Sequence, residues 1–188
     1  MINNIIKNIK KCDKCDLCKL SVNITTEQYI YHGKLCPKIY TSKKCLFFIV
    51  GLNPSRKRYE GGNLTIYDNN IDKSKFVIDN FAVLLTKLNI YHYCYITNLV
   101  KCSTQDNKVN DYYSNICFEE HLKKEIEIIK PKFIIALGNQ VYNYLNQKLD
   151  CNVYKIKHPS YYLSYKKGTP EEQETELINL LKILISKK

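Results

Sequence analysis

The chain has 188 residues, 45% hydrophobic and 25% charged, a composition that excludes disordered and membrane-embedded classes and fits one compact domain over 1–188. No apolar run approaches the roughly 18 residues a spanning helix needs, and Met1 to Lys11 lacks the apolar core and cleavage site of a secretory signal, so no membrane partner and a cytoplasmic location are expected. Twenty-nine basic against 18 acidic residues give a net charge of +11 spread along the chain, which points to nucleic acid ahead of anionic membrane, although an AT-rich genome would produce the same lysine surplus.

Periodicity predicts a basic helix over Ile2 to Lys11, then a cysteine-rich loop. Cys45-Leu-Phe-Phe-Ile-Val50 reads as a buried strand ending at Gly51, with Asn53-Pro54 and two glycines in the loop beyond. Phe76 to Leu88 has helical spacing, Cys94-Tyr-Ile-Thr97 is a second strand, and Tyr112 to Lys130 is a long amphipathic helix closed by Pro131. Lys132-Phe-Ile-Ile-Ala-Leu137 is a third strand, followed by Gly138 and a helix to Gln147. Cys151 to Ile156 is a fourth strand, and Pro170 opens a terminal helix with acidic residues in its first turn. Strands alternating with helices imply a parallel sheet covered on both faces. Asn53-Pro54-Ser55, Asn98 and His158-Pro159-Ser160 each follow a strand, so polar groups gather at the C-terminal sheet edge, where open α/β sheets bind ligands.

Nine cysteines without an export signal suit metal or cluster ligation better than disulfides. Cys45, Cys94 and Cys151 lie in or beside apolar stretches and read as core residues.

Several segments, in order, carry a further signal. These are Cys15-Asp-Leu-Cys18-Lys-Leu20, Thr97-Asn98-Leu99-Val100-Lys101-Cys102, a helix bearing Cys117, Pro131 to Gly138 as Pro-Lys-x-Ile-x-Ala-Leu-Gly, and His158-Pro159-Ser160. Together they resemble the uracil-DNA glycosylases, in particular the iron-sulfur, family 4-like type, from Cys15 to Leu163. The resemblance implies a three-layer α/β/α fold on a four-stranded parallel central sheet. It also implies a monofunctional, monomeric glycosylase that hydrolyses the N-glycosidic bond of a base flipped out of DNA, uracil foremost, and leaves an abasic site. A 4Fe-4S cluster on Cys15, Cys18, Cys102 and Cys117 is implied as well. Cys12 forms an overlapping pair with Cys15, Cys36 is a further candidate, and a structural zinc would use the same ligand set.

The chemistry of the matched residues fits those roles. The Asn53 carboxamide can orient a water at the sugar C1′, where an oxocarbenium-like transition state needs only a well-placed nucleophile. His158 can donate a hydrogen bond to the base oxygen where charge accumulates. Asn98 can pair with the O4 and N3–H edge of uracil and reject cytosine. Gly51, Tyr67 and Ser160 are further substrate-side candidates. Arg56, Lys57, Arg58, Lys166 and Lys167 suit phosphates, and Tyr161, Tyr162 and Leu163 suit a wedge into the gap left by the base. Each residue also has a plainer reading: Asn53 before proline as a turn residue, Asn98 as a loop cap, His158-Pro159 as a surface bend and the lysines as a solvated face.

Gly51-Leu52-Asn53-Pro54-Ser55 departs from the acidic Gly-Glu-Ala-Pro-Gly of the iron-sulfur type and approaches the Gly-x-Asn-Pro of mismatch-specific and single-strand-selective members. The family's stacking phenylalanine is absent, with Ile66 or Tyr67 in its region, and 56–62 is unlike the family. Removal of another modified or deaminated base, in repair or in defence against foreign DNA, is therefore an alternative, as is a non-catalytic iron-sulfur nucleic-acid binder. A zinc nucleobase deaminase would need His-x-Glu with Pro-Cys-x-x-Cys, which the sequence lacks.

Overall fold

The computed structural model describes residues 2–17, 34–35, 45–54, 77–102, 104, 108–163, 165 and 167–186. The sheet is built from β1 (Lys34–Leu35), β2 (Phe47–Gly51), β3 (Cys94–Asn98), β4 (Phe133–Leu137) and β5 (Val153–Ile156), in the order β1-β3-β2-β4-β5. β2 to β5 pair in parallel, as the alternation of strands and helices predicts. The two residues of β1 add an antiparallel edge to β3 that the sequence pattern did not announce.

Helices cover both faces. They are α1 (Ile2–Lys10), α2 (Val77–Lys87), α3 (Asp111–Cys117), α4 (Lys123–Ile129), α5 (Asn139–Lys148), α6 (Ser160–Leu163) and α7 (Pro170–Ser186). Alternate residues of β2 feed two cores. Phe48 and Val50 join Tyr95, Ile134, Phe118, Leu122 and Leu145 on one face. Phe47 and Ile49 join Ile96, Ile135, Phe81, Leu85, Leu177 and Leu184 on the other. This period-2 division, with strands apolar on both faces, is what a sheet sandwiched between helices requires, and the result is the expected three-layer α/β/α architecture.

The single helix expected over Tyr112 to Lys130 is interrupted. Asn110 caps α3, its side chain accepting from the Tyr113 N–H at 3.1 Å. Residues Phe118–Leu122 then form a π-helical segment before α4, which ends at Ile129 and is capped by Lys130 in the left-handed region, φ 49, immediately before Pro131.

The strand order reverses beside β2. The chain leaves β2 for β3 on one side, then crosses back to place β4 on the other, so the switch point lies at the C-terminal ends of β2 and β4.

Candidate active site

Four backbone positions at that edge bring the sequence-predicted polar residues together. Gly51 ends β2 in register with Asn98 at the end of β3, and Leu99 N–H donates to the Gly51 carbonyl at 2.8 Å. A Cβ at residue 51 would collide with the Asn98 side-chain oxygen. The glycine is therefore required by the close approach of the Asn98 carboxamide, which lies over the end of β2.

On the other side of the switch point, Gly138 follows β4 with φ 90 and donates its N–H to the Ile156 carbonyl at 2.8 Å. A Cβ built there would lie 3.5 Å from the His158 Cβ. Gly138 thus lets the chain turn out of β4 while His158, two residues beyond β5, closes over it.

His158 is oriented by its own turn. Its Nδ1 accepts the Ser160 backbone N–H at 3.1 Å and lies 2.7 Å from the Ser160 Oγ. A backbone N–H can only donate, so Nδ1 carries no proton and the neutral ring holds its proton on Nε2. Burial depresses the His158 pKa from 6.5 to about 4, which keeps the ring neutral at physiological pH. Ser160, expected on the substrate side, is in this arrangement the residue that sets the histidine's tautomer.

Asn53 is half-buried and donates through Nδ2 to the Thr104 Oγ1 at 3.1 Å and, more weakly, to the Pro54 carbonyl at 3.4 Å. Thr104 escaped the sequence reading because its partner is 51 residues away in the chain.

A second unforeseen feature lies beneath Asn98. Lys101 and Glu125 form an ion pair of 2.7 Å with side chains 1% and 0% exposed. The Lys101 ammonium also donates to the Thr97 Oγ1 and the Asn98 carbonyl, each at 2.8 Å, while Thr97 Oγ1 donates to the same Glu125 oxygen at 3.0 Å. The end of β3 is thereby fastened to α4 from below. A signal existed for this: Glu125 lies on the stripe of Ser114, Cys117, Phe118, His121 and Leu122, all buried, and a carboxylate there needs a cation.

Cys15, Cys102 and Cys117 are all buried in one core cluster, with Cys12 packed against it. Burial pushes the Cys117 thiol up to about 12, the Lys101 backbone N–H opposes this, and the neighbouring Cys102 and Cys15 add to it. Soft donors in a dry setting suit iron or zinc, which would draw off the protons that burial retains. Among the described residues, however, no group of three or more His, Cys, Asp or Glu side chains is arranged to hold a metal ion. Cys18 and Cys36 lie outside the described residues. Cys45 and Cys94 are core residues as read from the sequence, whereas Cys151 is exposed, because it precedes β5 on the opposite rim of the sheet and not within it.

The DNA-facing expectations divide. Tyr161 is half-buried beneath the Lys157 ammonium, 4.8 Å from its ring centroid, and Leu163 ends α6. Tyr162 is corrected: it is 3% exposed and its hydroxyl donates to Glu176 at 2.7 Å, so it braces α6 against α7 and has no surface to offer a wedge. Lys167 is exposed. Arg56, Lys57, Arg58, Ile66, Tyr67 and Lys166 lie outside the described residues.

Residues 38–182 match the Uracil DNA glycosylase superfamily. The chain belongs to that superfamily. The matched region holds β2 to β5 and all the strand-end residues described above. A type-4 uracil-DNA glycosylase of Sulfurisphaera tokodaii is 32% identical over 75 residues, covering 38% of this chain and 34% of that relative. The chain thus aligns with about a third of the length of this relative. No helix among the described residues of this superfamily member is long and apolar enough to cross a membrane.

Proposed function

We propose that the protein is a monofunctional DNA glycosylase that hydrolyses the bond between a flipped-out base, uracil foremost, and its deoxyribose. Superfamily membership supports the class of reaction. The observation that carries the mechanism is the Ser160 N–H donating to His158 Nδ1, which leaves Nε2 to carry the proton of the neutral ring. As the C1′–N1 bond breaks, its electrons pass to the base, and charge accumulates on a pyrimidine oxygen. A neutral imidazole N–H held there stabilises that charge without having to give up a full proton.

Asn53 supplies the second function. With Nδ2 engaged, its Oδ1 accepts a hydrogen bond from a water and aims the water's lone pair at C1′. The carboxamide is a weaker base than the acid that the iron-sulfur type carries in this motif, and a dissociative transition state tolerates that. Asn98, over Gly51, reads the O4 and N3–H edge. The flipped base is reached at a cost of a few kcal/mol, least at a mispair. Tyr161 and Leu163 fill its place, while Arg56, Lys57, Arg58 and Lys167 hold phosphates under the general attraction of the +11 charge.

Cys15, Cys18, Cys102 and Cys117 are the proposed thiolate ligands of a 4Fe-4S cluster. When bound it supplies a covalent tie between the N-terminal segment, the loop after β3 and the end of α3. Its task is structural, and no step of base removal requires it.

The testing experiment incubates anaerobically purified protein with end-labelled oligonucleotides carrying uracil, hypoxanthine or modified cytosines, followed by alkali to reveal abasic sites. Strand breaks at uracil are expected. Breaks only at another base would retain the chemistry and move the specificity, in keeping with the departures in 56–67. Tight binding without breaks at any base would refute the enzymatic reading.

A further inference from the structure

We infer that Thr104 is a positioning residue that fixes which end of the Asn53 carboxamide faces the substrate. The inference rests on the reading of Asn53 given above and extends it to a residue outside the matched motifs.

A carboxamide has a donor end and an acceptor end of nearly equal size, so its side chain is competent to orient a water through Oδ1 in only one of two rotamers about its last bond. In the other rotamer, N–H groups would face the reacting centre and repel the positive character developing at C1′. Two contacts select the competent rotamer here. The Pro54 carbonyl, 3.4 Å away, can only accept, so it identifies the near atom as Nδ2. It is too distant to hold the group alone. The Thr104 Oγ1, at 3.1 Å, supplies the stronger contact, and Thr104 is 6% exposed, so water has little access with which to replace it. The two contacts account for both Nδ2 protons, and among the described residues they leave Oδ1 as the end of the carboxamide turned to neither contact.

The origin of Thr104 adds to the case. It stands two residues beyond Cys102, which is itself buried beside Cys117. The loop after β3 therefore reaches across to the loop after β2 and touches the one side chain there that the mechanism requires.

The test compares Thr104→Val, which keeps the shape and removes the acceptor, with Thr104→Ser, which keeps the acceptor. Single-turnover excision from a uracil oligonucleotide should fall about 10- to 100-fold in Thr104→Val, with oligonucleotide Kd unchanged, and Thr104→Ser should restore most of the rate. In an Asn53→Ala background, Thr104→Val should cost nothing further. A purely packing role would slow Thr104→Val and Thr104→Ser alike or add its loss to that of Asn53→Ala, and either result overturns the inference. Side-chain amide NMR of 15N-labelled protein reads the same contact without catalysis. The Asn53 NH2 should resist solvent exchange in the parent protein and in Thr104→Ser, and lose that protection in Thr104→Val. Unaltered protection in Thr104→Val refutes the inference whatever the activity. Failure of the underlying reading is separate: it would show as full excision by Asn53→Ala, whereas a silent Thr104→Val beside an inactive Asn53→Ala would remove the positioning role alone.

Discussion

The neutral His158 makes a prediction that acid should reveal. Were the ring an ordinary histidine, with a pKa near 6.5, only about 3% would be neutral at pH 5, and a rate that depends on the neutral form would drop roughly 30-fold between pH 8 and pH 5. With the pKa depressed to about 4 by burial, about nine-tenths of the ring is still neutral at pH 5, and the rate should hold within about 2-fold. Asn53 and Asn98 do not titrate, so neither obscures the profile. Stability responds in the same window with a sign that can be worked out. Below pH 6.5 the unfolded chain takes up a proton that the folded site refuses, so folding stability declines as pH falls from 6.5 toward 4. The slope is at most about 1.4 kcal/mol per pH unit and the total about 3 kcal/mol, and above 6.5 this group contributes no pH dependence. The assay is single-turnover base excision from pH 8 to pH 5, with circular dichroism at each pH to establish that the protein is folded, and 15N-edited NMR of the imidazole to locate its proton. A rate inflection near 6.5 in folded protein, or an Nδ1-protonated ring, would refute the reasoning.

Three further outcomes are expected. Gly51→Ala places a methyl against the Asn98 side-chain oxygen and should lower single-turnover excision about 10- to 100-fold in folded protein, an unchanged rate showing that Asn98 does not read the base from that position. Lys101→Met leaves the Glu125 carboxylate buried without its cation and should cost about 3–5 kcal/mol in urea unfolding, while Lys101→Met with Glu125→Leu should recover part of the loss. Tyr162→Phe removes the hydroxyl that reaches Glu176 and should cost about 1 kcal/mol of stability with DNA affinity unchanged, whereas Tyr161→Ala should weaken DNA binding; reversed effects would reinstate Tyr162 as the wedge.

The sheet was legible in the sequence because its central parallel strands are short apolar runs followed by glycine or a polar residue, as in Phe47–Gly51 and Phe133–Leu137. A central strand covered on both faces is apolar throughout, which makes the strand obvious and its neighbours invisible. The strand ends were legible too, since Asn53, Asn98 and His158 interrupt apolar stretches at equivalent places. What connects those ends was not. Thr104 and Glu125 lie 51 and 24 residues from the side chains they hold, and no local pattern encodes such a pairing. The π-helical turn at Phe118–Leu122 has the composition of the α-helix on either side, so its position is set by packing. Tyr162 turns its hydroxyl to Glu176 and not to the surface; a motif fixes order along the chain but not the direction of each side chain. Cys151 abuts an apolar run and so reads as a core residue, but that run enters the sheet only at Val153, which leaves the cysteine exposed.

The buried lysine beneath Asn98 has a consequence for how such a protein can change over time. Lys101 touches the Cys117 sulfur through its backbone and Glu125 through its ammonium, so the end of β3 is moored to the same helical stretch twice, once beside the cysteines and once by charge. A descendant in which these cysteines were replaced would lose the first mooring and keep the second intact. The ion pair thus lets the cysteines vary while Asn98 keeps its place.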